Sequence, residues 1–70
     1  MPSLIRSEAA THLRRLLVAA DARALQLAQA RARGFVEGLK LAKALEPATI
    51  KALHVAVEDA AAARCKELSR

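Results

Sequence analysis

Apolar positions along this 70-residue chain recur with a helical period. Set at 100° per residue, Leu13, Leu17, Ala20, Ala24 and Leu27 fall on one side. Phe35, Gly38, Ala42 and Leu45 fall on that same side, beyond Gly34. A turn at Gly34 would give the two halves no reason to keep phase, so the pattern predicts one long helix over about 7–45. Ser7 reads as its N-cap, with Glu8 in the first turn. The competing reading is three helices, with Gly34 as a C-terminal cap after Arg31 and Arg33.

The one proline inside the chain, Pro47, disfavours helix just before it and suits a first turn. It predicts a turn at about 45–47 and a second helix over about 48–68. That helix carries a narrower stripe of Ile50, Leu53, Val57, Ala60, Ala61 and Leu68. The expected fold class is all-α, a single domain in which a long helix and a shorter one form an antiparallel hairpin. Folding the two together sets Arg31 level with Arg64 and leaves everything before residue 28 overhanging. The overhang bears the apolar stripe Leu4, Ile5, Leu13, Leu16, Leu17, Ala20, Ala24 and Leu27, whose simplest cover is the same surface of a second copy, with Leu13, Leu17, Ala20, Ala24 and Leu27 as the expected dimer seam. The expectation is a homodimer with a four-helix arrangement. Gly34 and Gly38, four residues apart, would let the second helix or the partner chain approach closely.

Composition strengthens the case for assembly. Hydrophobic residues are 54% of the chain, but alanine dominates them, with one Phe, one Met and no Trp. Burying a leucine is worth roughly 1.5–3 kcal/mol and an alanine much less. The single cysteine, Cys65, cannot bridge internally, which fits a reducing, cytoplasmic setting. No apolar run approaches the roughly 18 residues a membrane span requires. Leu16–Ala20 is too short for a signal-peptide core.

Net charge is +5 and unevenly placed: residues 1–45 carry eight basic and three acidic side chains, and residues 46–70 carry four of each. An acidic partner or a nucleic acid is implied. His12 and His54 lack metalloprotease or Cys–His spacing, and neither a nucleophile–base pair nor a phosphate loop is present. The expectation is a non-enzyme without metal or cofactor.

Three groups of residues are candidates for function. Arg31 and Arg64 sit in apolar stripes at one level, where two like charges are costly unless an anion lies between them. Together with Phe35, a lone aromatic among small residues, they form the expected partner-binding site. The plainer alternative is a pair of snorkelling arginines satisfied by Asp21 or Glu67. Arg14, Arg15, Arg33, Lys40 and Lys43 lie on the outer side of the first helix and make the alternative, a nucleic-acid-binding stripe. Glu8 and Glu37 interrupt it, and no aromatics are placed to stack bases.

The run from Arg33 to Ala42 (RGFVEGLKLA), followed by Leu45-Glu46-Pro47 and a polar, alanine-rich helix, resembles small phage- or prophage-encoded helical hairpins. One such group is the quorum-sensing anti-activators, which bind host regulators and pilus-assembly ATPases. The resemblance covers about residues 30–68 and implies a dimeric helical inhibitor or adaptor that binds a host regulatory protein. It assigns no role to an individual residue.

Overall fold

Three helices account for most of the chain in the computed structural model, which describes residues 1–70. They are α1 (Ser3–Leu17), α2 (Ala22–Leu41) and α3 (Pro47–Leu68). The expected 7–45 helix is therefore two helices, and the two-helix hairpin gives way to a three-helix bundle. The break lies at residues 18–21, not at the glycines, which α2 carries within a continuous helix.

Local chemistry explains both ends of the break. The side chain of Asp21 accepts a hydrogen bond from the Ala24 amide at 2.8 Å, satisfying one of the amides that a helix start leaves free. On the other side, the Val18 amide donates to the Arg14 carbonyl at 3.1 Å and closes α1. Ser7 is not a cap: α1 begins four residues earlier, after Pro2, and the Ser7 carbonyl accepts from the Thr11 hydroxyl at 3.0 Å.

The second connection, residues 42–46, lies close to the expected one. Pro47 occupies the first turn of α3, where its missing amide costs nothing. At the end of α2, Ala44 N–H donates to the Leu39 carbonyl (3.0 Å) and Lys43 N–H to the Lys40 carbonyl (3.1 Å), the double bond of a Schellman turn. Such a turn needs a left-handed residue. Lys43 supplies it with φ 53°, at a position where glycine is the usual occupant.

The overhang predicted from the two-helix reading is closed by the chain itself. α1 folds back onto α2 and α3, and its Leu16 is fully buried. Leu16, Ala19, Leu25, Ala32, Val36, Ile50, Val57 and Ala61 form one core, flanked by half-buried Leu13, Phe35, Leu39 and Leu53. Of the five residues expected to cover a dimer seam, Leu13 and Ala24 pack against this core instead. Leu17, Ala20 and Leu27 stay exposed.

Candidate interaction surfaces

The residues expected to bind a partner do not come together. Gln29 and Arg33, one turn apart on α2, both bind Glu58 on α3, so residue 31 is level with residue 58 and not with residue 64. Arg31 points to solvent. Arg64 is part-buried, and its Nε donates to the Ala19 carbonyl at 2.9 Å, with Glu67 Oε1 3.6 Å from Nη1. It therefore holds the α1–α2 connection in place and compensates a carbonyl that the break releases. Phe35 is also structural: its ring lies 4.8 Å from that of His12, centroid to centroid, against Leu13, Val36 and Leu53.

The residues of the nucleic-acid stripe do not share one helix. Arg14 and Arg15 belong to α1, Arg33 and Lys40 to α2, and Lys43 to the second connection. Arg33 is neutralised by Glu58. Glu58 takes Arg33 Nε on one oxygen (3.1 Å) and Gln29 Nε2 on the other (2.9 Å). Those two hydrogen bonds, Arg33 first, hold its carboxyl below its ordinary value of 4.5. Both members of the ion pair are half exposed, so the pair adds little to stability, about 0.2–1 kcal/mol.

An apolar, small-residue surface that includes Leu27, expected in a dimer seam, and the glycine pair lies on the outer side of α2. Leu27, Ala30, Gly34, Gly38 and Leu41 are all exposed, at spacings of three, four, four and three residues. These spacings align them along one face of the helix, over about 21 Å between the two leucines. Leu27 is 52% exposed and Leu41 77%. A Cβ added at Gly34 or Gly38 would meet nothing within 4 Å, so neither glycine serves close packing inside the chain. The expected approach of the second helix at this pair is absent: α3 packs on the opposite face, through Leu25, Ala32 and Val36.

The remaining chemistry is sparse. No three His, Cys, Asp or Glu side chains are grouped to hold a metal ion, and no helix is long and apolar enough to cross a membrane. Cys65 is a free, exposed thiol. Comparison with protein-family models, with curated proteins and with solved structures yields no match to this chain.

Proposed function

We propose that this chain is a non-enzymatic interaction protein that works as a homodimer, self-associating through the outer face of α2 and binding a second, acidic protein. One observation carries the dimer: the chain leaves too much surface uncovered. A folded monomer of 7.5 kDa is expected to expose about 4,250 Å², whereas this chain exposes 4903 Å². The excess, roughly 650 Å², approaches the ~800 Å² that each partner contributes to a standard interface.

The outer face of α2 suits a second copy. Leu27 and Leu41 are each seven residues from Gly34. A two-fold axis at Gly34 therefore sets Leu27 of one copy against Leu41 of the other, and small residues between them permit close approach. Each glycine lowers helix propensity by roughly 1 kcal/mol relative to alanine. Nothing within the chain offsets that cost, whereas a closely packed second helix would.

The net charge of +5 favours an acidic surface on the second protein. A host regulatory protein is the class suggested by the resemblance to phage-encoded helical proteins. Sedimentation equilibrium tests the dimer: the expected mass is twice 7.5 kDa. The double variant Leu27→Glu, Leu41→Glu should return it to the single-chain mass with helix content unchanged. A wild-type chain that sediments as one copy at 100 µM would refute self-association.

A further inference from the structure

At the corner where α2 passes into α3 lies a cleft of about 580 Å³. Its floor is apolar, with Ile50 buried and Leu45 half-buried. Lys40, Lys43, Lys51 and His54 line it, and no acidic side chain does. The three lysines make no ion pair or side-chain hydrogen bond; the chain's two ion pairs are Arg33–Glu58 and Arg64–Glu67. Of the acids on the adjoining segments, Glu58 is engaged by Arg33 and Gln29, and Glu46 lines a neighbouring cleft that shares Lys43, Leu45 and Pro47 with this one but forms no ion pair there. Unneutralised cations around an apolar floor match a ligand that is both anionic and apolar.

Backbone geometry points the same way independently. Lys43 occupies the left-handed position of the Schellman turn, where a side chain is disfavoured and glycine would relieve the cost. A lysine at this position sacrifices stability, yet it adds a cation to the cleft rim. Strained backbone of this kind concentrates at ligand-binding sites.

We propose that this cleft is the docking site for an acidic segment of a partner protein, one that inserts an apolar side chain over Ile50 while its carboxylates meet Lys40, Lys43 and Lys51. Three lysine charges around one apolar floor favour a segment with several acids over a small monoacid. The inference rests on the reading of the chain as a protein-binding module. It uses a different part of the surface from the outer α2 face around Gly34.

The test is fluorescence anisotropy with a labelled peptide of repeated Glu-Glu-Leu units. The same peptide with Gln for Glu, the same with Ser for Leu, and a single-stranded 20-mer DNA serve as competing probes. The expected result is binding of the Glu-Glu-Leu peptide at least tenfold tighter than either altered peptide. Lys51→Glu, which reverses one exposed rim charge, should weaken it by at least tenfold, and Lys43→Arg by less than twofold. The telling variant is Lys43→Gly. It should raise the melting temperature by about 4–8 °C while weakening the peptide about two- to fivefold.

Equal binding by wild type, Lys51→Glu and Lys43→Gly would overturn the cleft assignment, as would tighter binding of the DNA than of the peptide. A chain that forms the dimer but ignores the peptide at low salt would also overturn it, leaving self-association standing.

Discussion

The two faces of α2 are built from similar residues and do opposite things. Leu25, Ala32 and Val36 look inward and are buried, whereas Leu27, Ala30, Gly34, Gly38 and Leu41 look outward and are exposed, with open space beyond both glycines. Leu25 and Leu27 stand two residues apart, at 6% and 52% exposure. The inner face shows what holds the fold. The outer face shows apolar surface that folding left unused, the surface on which the proposed self-association rests.

The largest effect should come from the leucine pair. Leu25→Ala removes a core side chain and should cost about 2–5 kcal/mol in urea unfolding. Leu27→Ala should change the unfolding free energy of the dissociated chain, measured at low micromolar concentration, by less than about 0.5 kcal/mol. Equal costs would erase the distinction between the two faces.

The cap that starts α2 comes next. Asp21→Ala should destabilise by about 0.5–2 kcal/mol, because it leaves the Ala24 amide without its partner at the α1–α2 connection. Hydrogen exchange should show faster opening of the first turn of α2. If exchange and melting temperature are both unchanged, Asp21 does not define the break.

The glycines sharpen the comparison with a change of sign. Gly34→Ala and Gly38→Ala should each stabilise the dissociated chain by up to about 1 kcal/mol, since the added methyl meets open space and alanine is the better helix former. The same substitutions should weaken self-association. Stabilisation with undiminished association would show that close approach at the glycines is not what holds the copies together.

The smallest effect is acid sensitivity. The Glu58 carboxyl titrates below its ordinary value because Arg33 and Gln29 bind the charged form. Its stabilising contribution is therefore present above about pH 4.5 and fades as pH falls through the lower folded value. Exposure of the pair limits that contribution to at most about 1 kcal/mol. Arg33→Ala should flatten this part of the pH–stability curve; an unchanged curve would mean that the pair is idle.

Much of the helical content was legible in the sequence. Phase across Gly34 correctly indicated a helix running through both glycines, and Pro47 marked the start of α3 within one residue. The break at residues 18–21 was hidden for a physical reason. Four residues are close to one helical turn, so a four-residue reversal preserves the apolar phase almost as well as a continuing helix does. Neither Gly nor Pro marks the position, and Ala19 and Ala20 are strong helix formers. Only Asp21 signalled a start. Tertiary closure decided the matter, because the exposed stripe on Leu13 and Leu16 gained a core to pack against.

Once the break was misplaced, the candidate site moved with it. Arg31 and Arg64 matched only in a register that the structure does not adopt. The task of Arg64 is set by the Ala19 carbonyl, a group that a continuous helix would have kept to itself. The Schellman turn was equally hidden, since its left-handed position holds Lys43 where the usual signal is glycine.

Cross-linking across the proposed two-fold axis tests the central claim most directly. In a Cys65→Ser background, the double variant Leu27→Cys, Leu41→Cys sets a cysteine of one copy against a cysteine of the other and leaves Gly34 and Gly38 in place. It should form a disulfide-linked dimer under mild oxidation, visible on a non-reducing gel and reversed by reductant. A cysteine introduced at exposed Ala10 on α1 should not. Efficient cross-linking at the 27/41 pair alone is the predicted result. No cross-link there, or equal cross-linking at both sites, would contradict assembly through the outer face of α2.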